Sequence, residues 1–294
     1  MTPAYVVQIT TPKRVVLNGL WFGPRKPKKL IIILHGLTGS AFSMSRVVNA
    51  LADTSCAVLT FNGRGFGQIN DLTRIRRNKV QYFVGGTAHE IFTECVDDID
   101  GCIHFAKKAG VKEIYIAGHS TGCQKAVYWA SKRSDKKVKG LILFGPLSDY
   151  SGALATKGKT ALDKGVSLAR KLITAGKPHQ LMPRNLGEWF ECDAQRFVSL
   201  YTADSSEEIF TYARPSVRPK TLQKTSARIL ALLAGADEHG DMPAKEIAAW
   251  FKKHLPARPG KPKDQVIVVP KVKHSFRGGE KGVANVIHKF MKER

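Results

Sequence analysis

The sequence predicts an α/β protein: a doubly wound, mostly parallel sheet interrupted late in the chain by a helical insertion. Three observations carry this. Short apolar, β-branched runs alternate with helical repeats from Lys29 to Phe144 and again from Ala227 onward. The alternation stops at Gly145-Pro146 and does not resume until about Lys224. That stretch is filled by helical patterns and punctuated by Pro178, Pro183, Pro215 and Pro219. One apolar run, Ile114–Ala117, ends in Gly118-His119-Ser120-Thr121-Gly122, a strand-turn-helix transition built around a serine.

Residues 4–10 and 14–22 read as two strands broken at Pro12-Lys13, an antiparallel opening to the sheet. Lys29–Leu34 reads as a buried strand that runs into His35-Gly36-Leu37-Thr38-Gly39-Ser40. Met44, Val47, Val48 and Leu51 then repeat at helical spacing. Cys56–Phe61 is the next strand, ending in the glycine-rich Asn62-Gly63-Arg64-Gly65-Phe66-Gly67. Residues 68–86 are polar and basic, with Arg74, Arg76, Arg77 and Lys79, and close in Gly85-Gly86. A long helix is predicted from one apolar stripe, Ile91, Phe92, Cys95, Val96, Ile99, Cys102, Ile103 and Ala106, and Gly110 ends it. The strand into Ser120, a helix through Ala126, Val127 and Ala130, and a strand at Val138–Phe144 follow.

The insertion shows helical patterns over Ala161–Ala175 and Leu186–Tyr201. Ala227–Ala234 then resumes the sheet, and Gly235-Ala236-Asp237 follows it. A helix through Ile247, Trp250 and Phe251, a strand at Gln265–Val269 and a last helix with Val283, Ile287, Phe290 and Met291 complete the chain. The domain reading is therefore a core over 1–145 and 225–294 with a helical cap over 146–224. The insertion leaves from the C-terminal end of a strand, where sites of open parallel sheets lie.

Five scattered cysteines without a C-x-x-C spacing argue against a disulfide framework or a cysteine-based zinc site. The N-terminus has no apolar signal-peptide core, and Leu30–Leu34 is far short of a membrane span, so the expected location is the cytoplasm. The formal charge is +23, from 47 Lys and Arg against 24 Asp and Glu. The basic residues are dispersed and not interleaved with aromatics. They read as a solvated surface with weak polyanion attraction at low salt, not as a specific nucleic-acid or membrane partner.

Serine is a weak nucleophile and needs a base and a group to hold that base. Among nine histidines, His274 is best placed, between the last strand and the last helix. His35 and His119 read as structural, His239 sits too close to Asp237 in sequence, and His288 lies on the polar side of the last helix. Asp237 is the leading acid; Asp241, Glu238 and Asp204 are the alternatives. The expected oxyanion donors are the backbone N–H groups of Leu37 and Thr121.

These segments together resemble the α/β-hydrolase family. His35-Gly36 is similar to its oxyanion-loop motif, Asn62–Gly67 to its R-G-x-G loop, Gly118–Gly122 to its nucleophile elbow. Gly235-Ala236-Asp237 and Lys273-His274-Ser275-Phe276 are similar to its acid and histidine segments. Gly118–Gln124 also resembles the branch that includes siderophore-ester hydrolases. The resemblance implies a catalytic triad of Ser120, Asp237 and His274, without metal or organic cofactor. The expected activity is hydrolysis of small or aromatic carboxylic esters through an acyl-enzyme. The same machinery would serve a thioesterase, an amidase or peptidase, or an acyltransferase, and the fold also hosts non-catalytic binding proteins. Trp189 and Phe190 are the candidate substrate contacts; Phe197, Phe210 and Tyr212 line either a pocket or the insertion's own core.

Overall fold

The computed structural model describes residues 2–183, 191–258 and 262–293. β1 (Ala4–Thr10) and β2 (Val15–Phe22) pair antiparallel. β3 (Lys29–Leu34), α1 (Ser45–Leu51) and β4 (Cys56–Phe61) begin the parallel part. A hairpin of β5 (Asn70–Arg76) and β6 (Lys79–Gly85) interrupts it. Then come α2 (Cys95–Lys108), β7 (Glu113–His119), α3 (Thr121–Lys132) and β8 (Val138–Phe144). The insertion holds α4 (Asp149–Lys157), α5 (Lys159–Thr174), α6 (Ala194–Tyr201) and the single turn α7 (Lys220–Gln223). β9 (Arg228–Ala234), α8 (Ala244–His254), β10 (Gln265–Val269) and α9 (Glu280–Lys292) close the chain.

The strand order is β10-β9-β8-β7-β3-β4-β2-β5-β6, with β1 on β2. The pairs from β10 to β4 are all parallel. Their period-two side-chain alternation feeds two cores. Leu30 and Ile32 of β3 join one cluster with α2, α3 and α8, while Ile31 and Ile33 join the other with α1 and α9. Covering both faces is what makes a near-continuous apolar run stable as a strand. Among the described residues, no helix is long and apolar enough to cross a membrane.

Four local expectations change. The basic stretch over 68–86 is a hairpin, with Arg77 and Asn78 both at positive φ (48° and 61°), the backbone of a two-residue hairpin turn. Val80, Tyr82 and Val84 alternate but stay exposed, and only Leu72 and Phe83 turn toward the core, so the hairpin lacks the strongly apolar face of the other strands. The helix after Gly86 starts later than its stripe: a 3-10 turn spans Phe92–Glu94 and Ile91 is exposed. The insertion has an unforeseen helix, α4, capped by the Ser148 hydroxyl, which accepts the Ser151 N–H. α6 begins only at Ala194, because Asp193 caps it by accepting the Arg196 N–H at 2.7 Å. Leu186–Phe190 of that expected helix lie outside the described residues.

α4, α5 and α6 share a third apolar cluster that includes Leu162, Ala169 and Phe197. A buried ionic chain joins this cluster to the sheet. Arg196 on α6 is fully buried and pairs with Glu207, and with Glu90 at 3.2 Å; Lys125 on α3 meets Glu90 at 2.5 Å. The Ser199 hydroxyl also donates to Glu207 at 2.8 Å. Beside this chain, Asp149 accepts the Gln124 side-chain amide at 2.8 Å. Burial first, and the Glu207 charge second, push the Asp149 carboxyl up to about 7 against the pull of Arg196. Burial likewise pushes Glu208 up to about 8 despite its bond from Ser148.

Two outcomes follow from this chain. Arg196→Ala should destabilise the protein by about 3–5 kcal/mol in chemical denaturation, because it strands two buried carboxylates; a loss under about 1 kcal/mol would show the pairing to be dispensable. The second concerns pH. Asp149 and Glu208 hold their protons more tightly folded than unfolded, so stability falls as pH rises through their range. His35 and His119, pushed down to about 4 by burial, act oppositely but only below the ordinary histidine value of 6.5. Thermal midpoints should therefore drop between pH 6.5 and pH 8, and Asp149→Asn should flatten that drop; a rise over this window would contradict it.

Candidate active site

Ser120 sits between β7 and α3 with φ 55° and ψ −124°, a region that side-chain-bearing residues rarely occupy. The turn is tight enough that a Cβ at Gly118 would overlap the Gly122 backbone, and one at Gly122 would overlap the Leu34 carbonyl. The Ser120 N–H is held by the Phe144 carbonyl at 2.9 Å, and Thr121 opens α3, where the helix offers its N–H no partner. Gly36 lies flush against the serine: a Cβ there would stand 2.9 Å from Ser120 Cβ. Leu37 follows it, and both line the same cavity as Ser120.

The oxyanion-loop candidate is anchored from below. His35 Nδ1–H donates to the Gly36 carbonyl at 2.9 Å, and its Nε2 accepts the Gly63 N–H at 3.3 Å, which sets the tautomer. Burial and then the Lys125 charge push this ring down to about 4, so it stays neutral. Arg64, in the glycine-rich loop, is buried against Glu94, Asp97 and Asp98, and its N–H donates to Asp98 at 2.9 Å. The sequence pattern thus marks a loop that supports the wall of the site without facing it.

His274 and Asp237 come together from two strand ends. His274 Nδ1–H donates to Asp237 Oδ2 at 2.8 Å, and the other carboxylate oxygen of Asp237 accepts the His239 N–H at 3.0 Å. Burial alone would raise the Asp237 carboxyl; the hydrogen bond and charge of His274, and then His239, hold it below the ordinary value. The His274 backbone is held as well. Its N–H donates to Glu238 at 2.9 Å and its carbonyl accepts His119 Nε2–H at 3.0 Å. Burial, then the His274 charge, push His119 down to about 4, so it packs on the His274 ring as a neutral wedge 4.7 Å away.

The other acids and histidines are engaged elsewhere. Asp241 accepts the Ser151 hydroxyl, and the exposed Asp204 pairs with Arg170 at 3.8 Å. His288 donates to the Leu51 carbonyl at 3.1 Å, at the far side of the helix layer. One contributor escaped the sequence reading: Gly145, which reads there only as the end of the sheet rhythm. It has φ 57°, and a Cβ on it would stand 2.9 Å from the His274 ring. A glycine directly after β8 was the available signal.

Ser120 and His274 open into one cavity of about 870 Å³ between the sheet top and the insertion. Its apolar lining includes Leu37, Met44, Leu147 and Tyr201, and its cations are Arg46, Lys157 and Arg277. Phe197 is buried in the insertion's cluster, while Phe210 and Tyr212 pack into the main core beside Trp250. They are structural aromatics. Trp189 and Phe190 lie outside the described residues. Among the described residues, one cluster with metal-ligand chemistry, His89, His179 and Asp193, stands apart from the cavity lining.

A siderophore hydrolase, EstB from Aspergillus fumigatus, superposes with a TM-score of 0.68 at 16% identity, covering 99% of this chain and 98% of that one. Est1E from Butyrivibrio proteoclasticus, solved with ferulic acid bound, gives 0.61 at 18% identity over 97% and 98%. At these identities the likeness establishes the α/β-hydrolase fold. In sequence, a Mycoplasma genitalium protein named as an esterase/lipase is 27% identical over 150 residues, 51% of this chain. The match spans only 50% of that relative's length. The family described as "Protein of unknown function (DUF1749)" matches residues 85–291, a span that takes in Ser120, Asp237 and His274. The chain belongs to this family and has the α/β-hydrolase fold of the esterases it resembles.

Proposed function

We propose that the protein is a serine esterase that cleaves small or aromatic carboxylic esters through an acyl-enzyme. The observation that carries this reading is the 2.8 Å bond from His274 Nδ1 to Asp237, with both His274 and the strained Ser120 facing one cavity. In the proposed reaction Ser120 Oγ attacks the ester carbonyl and His274 Nε2 takes its proton. Asp237 keeps the imidazole in the tautomer with Nδ1–H and stabilises the imidazolium. The Leu37 and Thr121 N–H groups receive the developing oxyanion. His274 then protonates the leaving alcohol, and water, activated by the same ring, releases the acid.

Residues 146–224 act in this reading as a cap over the site. Arg46 and Arg277 stand on the cavity wall with Asp149, Glu238 and Asp241, so its charge is mixed, and Leu37, Met44 and Leu147 supply an apolar surface for a small or aromatic group. The ferulic acid in the Est1E structure lends support to an aromatic acyl group. Neither a metal nor a nucleic acid enters this chemistry.

A fluorophosphonate probe should label the wild type and leave Ser120→Ala unlabelled; a folded wild type that resists the probe would overturn the proposal. Asp237→Asn should keep the fold and lower kcat/KM on the order of 10⁴-fold. On a panel of nitrophenyl esters with a matched thioester and anilide, acetate and butyrate should outpace long acyl chains. Preference for long chains, or for the thioester or the anilide, would replace the substrate class while leaving the nucleophile in place.

A further inference from the structure

We propose that His89, His179 and Asp193 form a Zn²⁺ site that ties the helical insertion to the edge of the core. The three residues are far apart in sequence, 104 and 14 positions from His89 and His179 to Asp193. In space both imidazole Nδ1 atoms converge on one carboxylate oxygen, Asp193 Oδ2, each at 2.9 Å. The three donor atoms lie within 4.8 Å of one another. Two imidazole nitrogens and a carboxylate oxygen with an open fourth position are a donor set that suits zinc.

The carboxylate divides its duties. Asp193 Oδ1 caps α6 through the Arg196 N–H, which leaves Oδ2 for the cluster. Asp193 is fully buried, His89 is largely buried, and His179 is 60% exposed, so a path from solvent runs along one side. A ligating imidazole is neutral, so the ion brings the positive charge that a buried carboxylate needs.

Backbone bonds hold the ligand-bearing segments together. Asp193 N–H donates to Ala88 carbonyl at 2.8 Å, beside His89. Ala194 and Gln195 N–H groups donate to Gln180 and Pro178 carbonyls at 3.0 Å each, on either side of His179. The Gln195 side chain reaches the Glu90 carbonyl at 3.1 Å. A tetrahedral ion with bonds of about 2.0–2.1 Å holds its ligand atoms about 3.3 Å apart, so donor atoms now within 4.8 Å of one another must draw in, and the exposed His179 side chain is the ligand with room to move. His89 comes from a separate 3-10 turn, Thr87–His89, just after β6, and the other two come from the insertion, so an ion here cross-links the two.

The test uses the full chain after dialysis against a chelator. Zn²⁺ titrated against a chromophoric competitor should bind at one equivalent, and Co²⁺ should give the visible absorption of a tetrahedral site. Affinity should fall at least about tenfold in His179→Ala and in Asp193→Asn; asparagine still caps α6, so the second variant keeps its helix. Zn²⁺ should raise the thermal midpoint of the wild type and not of either variant. Binding that is unchanged in both variants, or no binding to the folded wild type, would overturn the proposal and leave two imidazoles hydrogen-bonded to a helix cap.

Discussion

Everything around the site depends on how closely backbone approaches backbone at Ser120. A φ of 55° at a serine is costly and persists only where its surroundings over-determine it. Here they do. β7 hands directly to α3 with no side chain at Gly118 or Gly122 to force them apart. Gly36 lies against the serine from the neighbouring strand, and Gly145 clears the space that the His274 ring fills. Four absent Cβ atoms let the ends of β3 and β7 close on the serine and the end of β8 close on the His274 ring.

Beneath this point, charge is buried in pairs. Arg64 among its three carboxylates holds the loop after β4, and through His35 and Gly63 that loop holds Gly36. Arg196, Glu207, Glu90 and Lys125 hold the insertion to α3, the helix that begins at the serine. Such pairs add little net stability over apolar packing, but each is severe to break. They are suited to fixing where the insertion sits. The Asp193 cluster lies along the same seam, one turn from Arg196.

The electrostatics around His274 keep its neighbours from competing with it. His119 is kept neutral and spends its donor on the His274 backbone. Glu238 takes the His274 N–H, and Asp241 takes Ser151, which leaves Asp237 as the carboxylate on Nδ1. Three acids close together in the sequence are separated in role by geometry alone.

The strand-helix alternation, the elbow glycines and the placement of Asp237 and His274 at strand ends were legible in the sequence because each is local. A buried parallel strand must be apolar throughout, and a nucleophile elbow must be short of side chains. The insertion was legible as helical and as a break in rhythm, since a missing strand is also a local signal. What joins distant segments was not. The partner of Arg196, the convergence of His89 and His179 on Asp193, and the cavity's lining all depend on contacts across scores of residues. No periodicity encodes them. The β5–β6 hairpin escaped because its alternating Val80, Tyr82 and Val84 face out while the paired Leu72 and Phe83 face in, which leaves a polar and basic average, and Phe197, Phe210 and Tyr212 could equally have lined a pocket. Only packing decided that they fill cores, because an aromatic ring looks the same in the sequence whichever surface it is buried against.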